Sequence, residues 1–324
     1  MNKKISLLFS LIVVVYVYCY IYSHTAITFN LIPSSISQEI SIPTRRKRYA
    51  YYVFLQSDGK PEYFAEAATL VHDLKELGNR YPINIILSSG PSKDIKGIQK
   101  CLLALGANKV SIQPAIKVHG LPEQYTKQYT KVLLWNKMEF DTILLMDTEI
   151  LLTPNHKMDD IFNLTEHMFT EGKKVLGVDH GKCGRQSKHM ISLGFTLLKP
   201  NSTLFEEIVV DLLNSITCNG TMKTEQNFLH EFFEKRNQIG FLDYGWDALE
   251  WYHDSWKIFG KENYFWNGED TPPARLYSIQ EKKSLFPQKS IRQYYQSRWD
   301  LAKESLKNNN VTHLCPRLYN SHLR

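Results

Sequence analysis

Residues 142–152 read TILLMDTEILL, and this stretch decides how the chain is understood. Four apolar residues, Ile143 to Met146, lead into Asp147 and Glu149 before the chain turns apolar again. An apolar run of this length fits a buried strand, and a buried strand does not hold two unpaired carboxylates, because an unpaired buried charge costs several kcal/mol. On an extended chain, residues two apart face the same way, so Asp147 and Glu149 are expected to aim at one point just past a strand end. In an open α/β sheet that is the edge where ligands lie. Two convergent carboxylates there suit a hard divalent cation carrying a phosphate group. A pair of salt bridges to nearby Lys or Arg at a turn is the bland alternative, and the stretch by itself does not choose.

The flanking sequence reads as alternating strands and helices. YYVFLQ (51–56), INIILSS (83–89) and KVSIQ (109–113) are strand-like, and 65–78 and 95–106 have helical spacing with Gly stops. A helix is expected over 129–140, followed by the strand 142–146. This order predicts a parallel sheet with crossover helices. About 275 residues beyond residue 48 suit one large domain.

The N-terminus is of another kind. Residues 5–22 are 18 residues without a charge, and a helix of that length spans about 27 Å. Lys3 and Lys4 precede it and no basic residue follows until Arg45, which predicts a cytosolic tail (1–4), a membrane anchor (5–22), a stem (23–48) and a lumenal body (49–324). A cleaved signal peptide is the competing reading; its apolar core is shorter and ends in small residues, which YCYIYSH lacks. Six basic residues against Glu39 place +5 of the formal +6 charge in the first 48 residues. The nearly neutral body predicts no nucleic-acid partner. The RRKR run at 45–48 is either a solvated stem segment or a basic protease site. Cys101, Cys183, Cys218 and Cys315 allow three disulfide pairings, and Asn163, Asn201, Asn219 and Asn310 begin glycosylation sequons.

The segment YTKVLLWNKMEFDTILLMDTEILLTPNHKMDDIF (129–162) resembles the core of glycosyltransferase family 8, the glycogenin-like retaining sugar transferases. The matching points are Tyr129, Thr130, Lys131 and Trp135 on the helix, Asp147 and Glu149 at the Asp-x-Asp position, and Asp159-Asp160-Ile161-Phe162. Residues 52–75, 192–209 and 224–233 resemble further family segments in the correct order. The resemblance implies a GT-A fold, a Rossmann-like mixed sheet flanked by helices, with manganese (or magnesium) and a UDP-sugar donor. It implies that Asp147 and Glu149 hold the metal, with Thr148 between them at the nucleotide. Lys131 is expected at the donor sugar or phosphate, Glu225 and Gln226 near the anomeric carbon, and Ser57 and Tyr63 at the uridine. For Tyr63 a place in the core at a helix start is the alternative, and Trp135 is expected in the core.

Four positions depart from the family pattern. Glu149 and Glu225 each replace an Asp, and Ser192-Leu193 replaces an Asn followed by a small residue. The C-terminal His-x-x-Gly-x-x-Lys-Pro-Trp motif is missing; YSIQEKKSLF (277–286) aligns nearest, with Tyr277 at the histidine and Lys283 at the phosphate-binding lysine. The expected protein is therefore a Golgi (or ER) type II membrane hexosyltransferase, acting with retention on a glycan or glycoprotein acceptor. The alternative is a sugar-nucleotide-binding protein of the same fold without turnover. His253 and His313, and the aromatic residues of 244–266 with Trp246 and Trp266 among them, are the remaining candidates for a third ligand and an acceptor groove.

Overall fold

The computed structural model describes residues 47–56, 61–89, 95–116, 121, 123–148, 150–152, 158–179, 189–218, 223–242, 248–249, 276–278, 289–308, 312 and 315. The anchor (5–22) and most of the stem lie outside them. Among the described residues no helix is long and apolar enough to cross a membrane.

In chain order the elements are β1 (Tyr49–Gln56), α1 (Pro61–Glu76), β2 (Ile83–Ser89), α2 (Ile95–Ala104), β3 (Lys109–Pro114), α3 (Glu123–Gln128) and a 3-10 helix (Tyr129–Asn136). β4 (Thr142–Asp147), β5 (Ile150–Leu152), α4 (Asp160–Leu164), α5 (Glu166–Thr170), β6 (Val175–Asp179) and β7 (Ile191–Leu198) follow. The rest is α6 (Ser202–Cys218), α7 (Glu225–Glu234), β8 (Ile239–Leu242), β9 (Ala248–Leu249), β10 (Leu276–Ser278) and α8 (Lys289–Asn308).

Seven strands form one sheet in the order β3-β2-β1-β4-β7-β6-β8. The first four run parallel, β7 is antiparallel to both β4 and β6, and β8 is parallel to β6. The mixed sheet matches the expected fold class. A small second sheet, β5-β10-β9, brings Tyr277 into register with Leu151, so the C-terminal segment returns beside the strand that follows Glu149.

Alternation along the central strands builds two cores. Tyr49, Tyr51, Val53 and Leu55 of β1 and Leu144 and Met146 of β4 face the layer that contains α1 and α2. Ala50, Tyr52 and Phe54, with Ile143 and Leu145, face the 3-10 helix, α6 and α7. Both faces are buried, which is why these strands read as continuous apolar runs.

The expected helix over 129–140 is not one α-helix. α3 gives way to a 3-10 helix that stops at Asn136, and the N–H of Lys137 closes it on the carbonyl of Leu134. Six of its eight residues are buried, Lys131 among them, so sheet packing rather than helix propensity sets its form. β4 ends at Asp147 and the chain turns at Thr148, and Glu149 lies outside the described residues.

The acids of the Asp-Asp-x-Phe segment have a structural use. Asp159 is buried and accepts hydrogen bonds from the Tyr51 hydroxyl at 2.6 Å and from Arg80 Nε at 2.9 Å. Phe162 stacks on Tyr49 at 4.6 Å. At the other end of the chain, α8 is clamped onto α1 by Arg298, whose Nη2 and Nε lie 2.6 and 3.0 Å from Asp73 Oδ1. A disulfide joins Cys101 to Cys315, one of the pairings left open by the sequence.

The basic run at 45–48 enters the fold at its last two residues. Lys47 pairs with Glu166 at 2.6 Å, and the backbone N–H of Arg48 donates to Asp141 at 2.8 Å. The Arg48 carbonyl accepts from the Asp141 N–H at 2.7 Å, and Tyr49 already belongs to β1. A protease cutting after Arg48 must first break these contacts.

Candidate active site

The parity of β4 determines which way Asp147 points. It shares a face with Ile143 and Leu145, the face covered by the 3-10 helix and α7. Those two elements are fastened to each other. The Tyr129 hydroxyl donates to the Lys223 carbonyl at 2.8 Å, Tyr129 lies against Phe228, and Trp135 stacks on Phe233 at 5.5 Å. Trp135 is therefore core, as expected. Thr130 ties the 3-10 helix to the end of β2 by donating to Ser88 Oγ at 3.1 Å.

This packing delivers Lys131 and Glu225 to Asp147. Lys131 Nζ donates to Asp147 Oδ2 at 3.0 Å and lies 2.9 Å from Oδ1 in ionic contact. Oδ1 receives no hydrogen bond. Glu225 Oε1 lies 3.4 Å from the same ammonium, and Phe54 presents its ring face to Nζ at 5.0 Å. Lys131 and Glu225 are buried, whereas Asp147 keeps a side open to solvent. Glu225 starts α7 behind Thr224, whose hydroxyl caps the Asn227 N–H, and Gln226 is half-buried in the same first turn.

One ammonium between two carboxylates leaves an excess of negative charge. Burial pushes the Glu225 carboxyl up and Asp147 adds to that; Lys131 pulls it back, and the balance lies at about 7. Burial works against the charge on Lys131, but Asp147 and Glu225 outweigh it and hold the ammonium above the usual lysine range.

Sequence reading missed Glu66. It is buried on α1, and its Oε2 accepts from Thr148 Oγ1 at 3.3 Å. An acid inside the apolar run AEAATLV was the available signal. Tyr63 is half-buried and packs against the α1-side core. Ser57, Glu149, Lys283, His253, His313, Trp246 and Trp266 lie outside the described residues, and the side chain of Tyr277 is not described.

At the end of β4 the Asp147 side chain keeps a side open to solvent, and a carboxylate oxygen is the hard donor a divalent cation takes, but its hydrogen-bond-free Oδ1 is buried and lies 2.9 Å from the Lys131 ammonium. Among the described residues no group of three or more His, Cys, Asp or Glu side chains is placed to hold a metal.

The chain has a GT-A glycosyltransferase fold. Glycosyltransferase GlyE of Streptococcus pneumoniae TIGR4 is similar at a TM-score of 0.52 and 13% identity, over 82% of this chain and 64% of that one. A galactosyltransferase, LgtC, solved with donor and acceptor sugar analogues, gives 0.52 at 8% identity over 79% and 95%. The bifunctional glycosyltransferase WbbM gives 0.55 at 7% identity over 82% and 52%. Such identities show the fold alone. No family model matches the chain. Glucose N-acetyltransferase 1 of Gibberella zeae is 23% identical over 180 residues, 53% of this chain and 38% of the relative, so the matched stretch spans well under half of that relative's length.

Proposed function

We propose that this protein is a Golgi type II membrane glycosyltransferase of family 8 type. It moves a hexose from a UDP-sugar to a glycan or protein acceptor with retention of configuration. The observation that carries the reading is the meeting of Lys131, Asp147 and Glu225 at the carboxyl end of the central strand β4. The Cys101–Cys315 disulfide supports a lumenal body, since such bonds persist in oxidising compartments.

In this reading Asp147 and Glu149 hold manganese or magnesium. The cation, when bound, supplies positive charge to the diphosphate as its bond to the sugar breaks. Lys131 directs its ammonium at the departing phosphate oxygens, where a compact point charge is effective. Glu225 keeps Lys131 in place and, near neutrality, carries or releases a proton beside it. Gln226 lies toward the anomeric carbon, Lys283 at the nucleotide's phosphates and Ser57 and Tyr63 at its uridine, while Thr148, buried with its hydroxyl on Glu66, holds the turn beside Asp147.

Isothermal titration of the full-length protein, purified in mild detergent, with UDP in manganese and then in EDTA tests the reading. Manganese-dependent binding that Asp147→Asn abolishes supports the metal–diphosphate site. Binding that ignores manganese points to a nucleotide-binding protein without metal chemistry, and absence of binding in both buffers removes the enzyme reading.

A further inference from the structure

Two glycosylation sequons fall on described residues that the proposed function does not use. Asn163-Leu-Thr closes α4 and Asn201-Ser-Thr leads into α6, while Asn219 and Asn310 lie outside the described residues. A modified Asn carries a bulky, solubilising glycan and so must stay at the surface of the folded protein. Asn163 is exposed, and so are all three residues 201–203.

Asn201 has a local role that leaves the modification open. Its Oδ1 accepts from the Leu204 N–H at 2.8 Å and caps α6. That bond fixes which end of the amide is the oxygen, so Nδ2 is the end the cap does not use. A glycan is joined through Nδ2, and a glycosylated Asn keeps its carbonyl oxygen for the cap. Capping accounts for Asn201 but makes no use of Thr203, which the sequon also needs. In the other sequon the buried Thr165 donates its hydroxyl to the Ile161 carbonyl at 2.7 Å, and Asn163 is the exposed member.

Both sites flank the same edge of the sheet. β7 runs antiparallel to β4 and pairs Leu198 with Ile143, so Asn201 lies beyond the start of β4, where its N–H donates to the Trp135 carbonyl at 2.8 Å. α4 reaches that edge from the other layer. Phe162 stacks on Tyr49, which pairs with Thr142, and Glu166 meets Lys47. The length of β4, about 16 Å at the usual rise per residue, separates this edge from Asp147. Glycans here grow from the edge opposite the candidate active site.

We propose that Asn163 and Asn201 each carry an N-linked glycan. Nδ2 forms a bond to C1 of the first sugar as that carbon's bond to a lipid diphosphate breaks. Nδ2 gives up one proton, and the lipid diphosphate departs. The oligosaccharide comes from a lipid-diphosphate-linked donor of the secretory lumen, so the assignment rests on the lumenal placement in the proposed function.

The test expresses the full-length protein in cultured eukaryotic cells and treats it with peptide N-glycosidase in heavy-oxygen water, which converts each glycosylated Asn into a labelled acid. Peptide mapping is expected to find the label at positions 163 and 201. Thr203→Ala removes the label at 201 while keeping the Asn201 cap, and Asn163→Gln removes the label at 163. Each variant runs one glycan lighter than the wild type on a denaturing gel. Absence of label at either position overturns that site. Protease treatment of sealed microsomes from the same cells reports the compartment separately. A protected body without label at 163 and 201 overturns the proposal alone, whereas a digested body overturns the lumenal reading and the proposal with it.

Discussion

Lys131 and Asp147 are 16 residues apart in sequence, yet the Lys131 ammonium lies 3.0 and 2.9 Å from the two oxygens of the Asp147 carboxylate. Both β4 parity and the grip between the 3-10 helix and α7 enforce that contact. Replacing Lys131 by Met leaves Asp147 and the buried Glu225 facing each other without a cation. Unpairing a buried charge in this way costs about 3 kcal/mol. Urea unfolding of Lys131→Met should show that loss, together with lost UDP affinity in manganese. A variant with an unchanged midpoint would mean the two carboxylates find another partner.

Glu225 predicts a pH dependence of stability. Its carboxyl rises from 4.5 unfolded to about 7 folded, so the native state binds a proton more tightly than the unfolded chain. The resulting stabilisation is fully present below pH 4.5 and fades as pH climbs through 7. Lys131, held above the usual lysine range, does not titrate in this window. Glu225→Gln should therefore flatten the fall in Tm between pH 5 and pH 8, by several degrees at the alkaline end. Parallel melting curves of variant and wild type across that range would count against a shifted Glu225.

The strands of the sheet, and the place of Asp147 at the end of one of them, are legible in the sequence, because alternation and apolar runs are local signals. The β1 residues 49–55 divide between two cores as a period of two requires. The partner of Asp147 was less legible. Lys131 was expected at the donor phosphate, but its pairing with Glu225 depends on α7, 94 residues downstream and held by Tyr129 and Lys223. The turn at Thr148 was missed because TILLMDTEILL has no Gly or Pro to announce it. The clamp of Arg298 on Asp73 joins residues 225 apart, and no pattern within either helix encodes it.

The Cys101–Cys315 bond ties the chain's last described residue to α2 across a sequence separation of 214. Chain-entropy arguments put the stabilisation from closing so long a loop at up to about 5 kcal/mol. Reduction with dithiothreitol should lower the urea midpoint markedly and loosen α8 first, because α8 leads directly to Cys315. Peptide mapping without reductant should recover the 101–315 cross-link. Free thiol at Cys101 in the native protein would rule the pairing out.

Glu66 reaches the turn beside Asp147 from α1. Asp147 meets the 3-10 helix and α7, whereas Thr148, in the turn that follows β4, donates from its hydroxyl to the buried Glu66 of α1 at 3.3 Å. That bond holds the turn beside Asp147, so its loss should reach the proposed metal–diphosphate site through Asp147 and not by contact with the nucleotide. Thr148→Val and Glu66→Ala are each expected to weaken UDP binding in manganese about fivefold, the worth of one hydrogen bond. The double variant should lose no more than either single one, since both remove the same contact. Glu66→Gln, which keeps an acceptor oxygen, should retain most of the affinity, and binding in EDTA should not change in any of them. Additive losses in the double variant would show that the two residues act separately, and equal losses in EDTA would place their effect in the fold rather than on Asp147.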